Sequence, residues 1–258
     1  MKTHDKRQLL VLALLLALFS ALTFLAYAAI PAAQLLPPGQ RSPGASSLVT
    51  DPVFALGIAA MIFIAYGLLG SVGYWFSRRL TLPGVFREGA GWKDWLLVPA
   101  LAGLATGVAL VLGDAVFTAL GRPGINVHPP FPFAIIASAT AAIGEEIIFR
   151  SFFLGSWAFI LAIVLRRWKA LRLALWLGVL IAALAFSAAH LPAAMVLLGA
   201  SAPDQIPSTI LVEFVLLNSL LGIVAGERYL KSGLVAAIGV HFWADVVWHV
   251  AWPLLSQS

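Results

Sequence analysis

Three clusters of polar side chains interrupt an otherwise apolar chain. The first is Gly144-Glu145-Glu146-Ile147-Ile148-Phe149-Arg150, set inside an apolar run from Phe131 to Leu165. Charged side chains at bilayer depth cost at least about 2.5–3.5 kcal/mol each on insertion scales, which makes them functional candidates. Glu146 and Arg150 are one helical turn apart in the favourable Glu-before-Arg order, and are expected to pair along one face. Glu145 is turned about 100° away on the same helix and has no local cation. The second cluster, Phe186-Ser187-Ala188-Ala189-His190, sets an aromatic ring and an imidazole one turn apart. The third, His241-Phe242-Trp243-Ala244-Asp245, runs on to His249, so spacings of four put His241, Asp245 and His249 on one stripe.

Carboxylates and imidazoles in an apolar setting suit peptide hydrolysis, which needs a base for water, charge stabilisation for an oxyanion and a proton for the leaving amine. No Ser/His/Asp arrangement is evident and the chain has no cysteine. An activated water is therefore the simplest nucleophile. His190, His241 and a carboxylate such as Glu145 could instead bind Zn²⁺, although the His-Glu-x-x-His spacing on one helix is missing. Each cluster also has a structural reading. Glu146–Arg150 reads as an ion pair, His190 as an interfacial cap beside Pro192, and His241–Asp245 as helix–helix hydrogen bonding. Asp114, Glu213 and Asn218 read as structural groups, with Glu213 a lesser candidate for lining a cavity.

The elements that must position these residues are membrane spans. Apolar residues make up 61% of the chain and charged residues 10%, against about 45–50% and ~25% in soluble proteins. The apolar residues fall in runs long enough to cross ~30 Å of hydrocarbon. The expected fold is an all-α polytopic membrane bundle of about seven transmembrane helices in a single domain over 1–258. Spans one to three fill 1–120 and precede a core at 131–252. In such a chain a net charge of +5 is no nucleic-acid signal.

Span one is Leu9 to Ile30; its length separates it from a cleaved signal peptide, whose apolar region is ~7–15 residues. A Pro/Gly/Ser-rich loop from Pro31 to Pro52 follows. Span two is Val53 to Phe76 and span three Leu96 to Leu120, with Trp92 and Trp95 at an interface between them. The run Phe131–Leu165 is too long for one straight crossing and is expected to bend near Gly144 or Gly155. Span five is Leu173 to His190, span six Thr209 to Ala225 and span seven Leu234 to Leu255. Residues 226–231 are the expected connector before span seven, and Ala193 to Ala200 a possible eighth, re-entrant piece. With the N-terminus cytoplasmic, 13 Lys and Arg fall in inside segments and 2 in outside ones, Arg150 being the sixteenth. That split supports the orientation.

Depth arithmetic gives a mixed expectation. Glu145 and His190 each lie roughly 18–20 residues from the basic 166–172 loop, or ~25–30 Å at ~1.5 Å per residue. His241, about ten residues past Lys231, comes out shallower by some 12–15 Å.

Glu-Glu-x-x-x-Arg, then Phe-x-x-x-His, then His-x-x-x-Asn/Asp is similar to the ordered motif set of the CPBP intramembrane proteases. That family includes the type II CAAX prenyl proteases and the lysostaphin resistance protein A-like proteins. The resemblance covers residues 131–252, and position 245 is Asp where the prenyl proteases tend to have Asn. It implies a glutamate-type intramembrane endopeptidase without cofactor, Zn²⁺ being the alternative. The implied catalytic residues are Glu145, His190, His241 and Asp245, supported by Glu146, Arg150 and Phe186. The implied substrate is a membrane-anchored or lipidated peptide or protein cut near a terminus, reached through the lipid bilayer. The expected location is a prokaryotic inner or plasma membrane. Competing readings are a non-catalytic scaffold or bacteriocin-immunity relative, and a solute carrier, for which the inverted repeat is missing.

Overall fold

The computed structural model describes residues 3–29, 51–122 and 128–256, and every regular element among them is helical. Most of the predicted loop after span one lies outside the described residues. Seven helical segments are long and apolar enough to cross a membrane, as expected. A helix satisfies its own backbone in hydrocarbon, so apolar runs of this length fold no other way there.

The first two spans are α1 (Thr3–Ala29) and α2 (Pro52–Arg79). A π-helical turn at Lys93–Leu97 leads into α3 (Val98–Ala119). The long fourth span is α4 (Phe133–Glu146), a π-helical stretch Ile147–Leu154, and α5 (Gly155–Val164). The expected bend near Gly144 or Gly155 is thus a widened helix between those two glycines. Next come α6 (Leu171–Ala189) and the short α7 (Leu191–Leu198), which carries Pro192 in its first turn and accounts for the possible eighth piece. Then follow α8 (Ser208–Ser232), α9 (Leu234–Asp245), a second π-helical stretch Val246–Ala251, and α10 (Trp252–Ser256).

The predicted connector at 226–231 is a correction. Helix α8 continues through it to Ser232, and the turn is made by Gly233 alone, at φ 93°. That backbone conformation favours glycine. The amides of Leu234 and Val235 donate to the carbonyls of Gly84 and Val85, so the turn packs against the loop after α2, and Leu234 is buried. His241 nonetheless reaches Glu146, at 2.9 Å, so the clusters meet despite the shallower count from Lys231.

Small residues bring the helices close, as is usual where the surrounding solvent is lipid. A β-carbon on Gly222 of α8 would stand 2.8 Å from that of Ala183 on α6. Large apolar side chains such as Leu56, Leu68, Leu112 and Leu184 face outward. This is the inverse of a soluble protein and suits a lipid surround.

Candidate active site

The motif on α4 is split by burial. Glu146 and Arg150 are completely enclosed, with Arg150 Nε 3.0 Å from Glu146 Oε2. The guanidinium also lies over the Phe186 ring, 4.9 Å from its centroid. Such a cation–π contact is worth most when desolvated. Glu146 has a further partner from the last span: His241 Nδ1 is 2.9 Å from Oε1. A carboxylate paired with an arginine is an acceptor only, so His241 donates from Nδ1 and turns Nε2 the other way.

What Nε2 faces is Glu145. Its Oε2 lies 3.8 Å from His241 Nε2 and 4.0 Å from His190 Nε2. Both separations exceed direct hydrogen-bond length. His190 is held at the end of α6 by its Nδ1–H, which donates to the Phe186 carbonyl at 2.8 Å. A carbonyl oxygen can only accept, so in the neutral ring Nε2 is a bare acceptor turned toward Glu145. Asp245 Oδ2 completes the group 3.6 Å from His241 Nε2. Phe186 holds the middle, its ring centroid 4.7 Å from that of His190 and 5.6 Å from that of His241. All seven residues singled out in the sequence meet here, from α4 and the π-helical turn after it, α6 and α9.

Two irregularities flank the cluster. The chain becomes π-helical immediately after Glu146 and again immediately after Asp245. Such widened turns are concentrated at functional sites, because they re-aim the side chains that follow. His249, read as one stripe with His241 and Asp245, instead meets His128, the two Nδ1 atoms 3.2 Å apart.

The cluster lines a cavity of about 290 Å³. Besides Glu145, His190, His241 and Asp245, its wall includes His128, His249, Glu213 and Asn218. Asn218, read as structural, thus also faces the cavity, and Glu213 does what it was a lesser candidate for. His128 lies in an irregular segment beside two prolines and carries no periodic signal. A second groove, about 310 Å³ and lined by Phe19, Thr23 and Tyr66, reaches Glu145 from the α1–α2 side. Among the described residues, no three His, Asp or Glu side chains are placed to hold a metal ion.

Residues 127–247 match the family described as type II CAAX prenyl endopeptidase Rce1-like. The match spans just under half of the chain and agrees with the motif resemblance to the CAAX-type proteases. No curated protein and no solved structure matches it. The match indicates a CAAX-type peptide hydrolase, and the seven long apolar helices among the described residues indicate a multi-pass membrane protein. The matched stretch holds the three motifs and His128, and stops just before His249.

Proposed function

We propose that this CAAX-type endopeptidase hydrolyses its peptide bond with a water activated by Glu145, without a metal. The observation that carries the reading is the placement of Glu145 Oε2 between two imidazole Nε2 atoms, at 3.8 and 4.0 Å, on the cavity wall. Gaps of this size suit one bridging water.

That water donates one hydrogen bond to Glu145 and one to the bare Nε2 of His190, which leaves a lone pair for the scissile carbonyl carbon. Glu145 takes the proton as the water oxygen bonds to carbon. His241, protonated at both nitrogens, donates from Nε2 to the developing oxyanion. Glu146 holds that imidazole by accepting from Nδ1, Arg150 neutralises Glu146, and Asp245 stands 3.6 Å from Nε2 as a nearby charge. When the carbon–nitrogen bond breaks, Glu145 returns its proton to the leaving amine, and the second proton of the water passes from the new carboxylic acid to that amine, giving a carboxylate and an ammonium as products. The metal-free reading is supported by the lack, among the described residues, of a ligand triad placed for a metal ion. The substrate is a membrane-anchored or lipidated peptide cut near its terminus, a reading that the family description and the site's position within a span support.

The test is cleavage of a lipidated peptide by the purified chain in bilayer discs, read by mass spectrometry. Turnover that survives exhaustive chelation is expected. Turnover abolished by chelation and restored by Zn²⁺ would replace the metal-free scheme, and absence of any cleavage would remove the peptide class.

A further inference from the structure

We infer that the catalytic cavity opens on the extracytoplasmic face of the membrane, and that its substrate is a peptide presented at that leaflet. Charge and shape point the same way. Basic residues gather at one end of the bundle: Arg78 and Arg79 in the last turn of α2, Arg166 and Arg167 after α5, and Lys231 in the last turn of α8. By the bias of Lys and Arg toward cytoplasmic loops, that end is cytoplasmic. The opposite end has Arg122 among its described residues. Arg122 is fully buried and engaged by Asp114 and Glu213, so it is not a free loop cation.

The cavity is built at that opposite end. His128 precedes α4, Ala193 and Leu197 belong to the short helix after α6, and Glu213 lies early in α8. Its outer wall includes Ala193 and Leu197, both exposed at the surface of the bundle. Its floor, toward the basic end, is closed by Phe186, Leu221 and His241, each no more than 3% exposed. A peptide arriving from the cytoplasmic face would have to part those side chains. The second groove lies in the same half, between Thr23 late in α1 and Ala137 early in α4. Both approaches to Glu145 thus start from the outer half of the bilayer. Glu145 itself precedes the Arg166–Arg167 turn by about 20 residues, or ~30 Å of helix.

The substrate half of this inference rests on the proposed hydrolysis; the sidedness half does not, and the two are measured separately. The chain contains no cysteine, so a single introduced one reports its own position. Asp204→Cys in the connector at the cavity end, Ala193→Cys on the rim and Lys231→Cys at the basic end are expressed in intact cells and exposed to a membrane-impermeant maleimide. Asp204→Cys and Ala193→Cys are expected to label in intact cells, and Lys231→Cys only after permeabilisation. The reverse pattern overturns the orientation. Labelling of Asp204→Cys in intact cells with Ala193→Cys inert under both conditions overturns the opening of the cavity.

For the substrate, wild-type chain in right-side-out and inside-out vesicles receives a lipid-anchored peptide from the bulk solution. Cleavage in right-side-out vesicles alone is expected, and cleavage in inside-out vesicles alone overturns the inference. No cleavage in either, with the labelling pattern as expected, removes the hydrolytic reading and leaves the sidedness standing.

Discussion

Two buried arginines divide the polar interior of this protein, and they are used differently. Arg150 is matched by one carboxylate, Glu146, at 3.0 Å, while Arg122 is answered by two, Asp114 and Glu213, the latter at 2.6 Å. Both guanidiniums are completely enclosed. The difference lies in what is left over. Around Arg122 both carboxylates are spent on the guanidinium. Around Arg150 a neighbouring carboxylate, Glu145, stays outside ion-pair distance of any arginine or lysine among the described residues and faces the cavity between two histidines. Two buried ion pairs are thus alike, and the proposed reaction is assigned to the cavity-facing carboxylate that has no guanidinium beside it. The same contrast separates His190 and His241, which face Glu145, from His128 and His249, which face each other.

The contrast can be broken experimentally. Replacing either arginine strands buried carboxylate, so Arg150→Met and Arg122→Met should each cost about 3–5 kcal/mol of stability. Only Arg150→Met should also disable the folded fraction, because Glu146 then loses the charge that lets it hold His241. Thermal unfolding combined with kcat per folded molecule separates the two, and equal catalytic loss in both would erase the distinction. Next in size, His241→Ala should lower kcat by roughly 10²–10⁴-fold, the range for a group acting on the transition state. A loss under tenfold would leave His241 a structural residue. Asp245→Asn should stay within about tenfold of wild type, since an amide can still orient an imidazole. The smallest effect belongs to the outer cluster: Glu213→Gln should leave kcat within about threefold and act through KM, because binding that is equal in ground and transition states does not accelerate the chemical step.

How much of this was legible in the chain depended on whether the partners are local. Glu146 and Arg150 are spaced one turn apart, so their pairing follows from helix geometry, and apolar runs separated by basic turns announce the spans. The likeness of the three motifs to those of the CPBP proteases links Glu145 to His190 and His241 from the sequence alone. The outer cluster offered no such handle. Asp114, Arg122 and Glu213 come from two different spans and a loop, and His128 meets His249 across 121 positions. Asp114 and Arg122 lie eight positions apart, but no periodicity connects either to Glu213, or His128 to His249. Counting residues along single helices sets His241 shallower than Glu145, yet His241 lies 2.9 Å from Glu146; a count at α-helical rise does not register the π-helical stretch Ile147–Leu154.

The most direct test compares Glu145→Gln with wild type on one lipidated peptide, with thermal unfolding recorded on the same preparations. Glu145 is partly exposed to the cavity and outside the Glu146–Arg150 pair, so the substitution should shift stability by no more than about 1 kcal/mol. Cleavage should fall by at least roughly 10²–10⁴-fold, as removal of a general base does. A stably folded Glu145→Gln chain that still cleaves within about tenfold of the wild-type rate would contradict the assignment of Glu145 as the group that activates water.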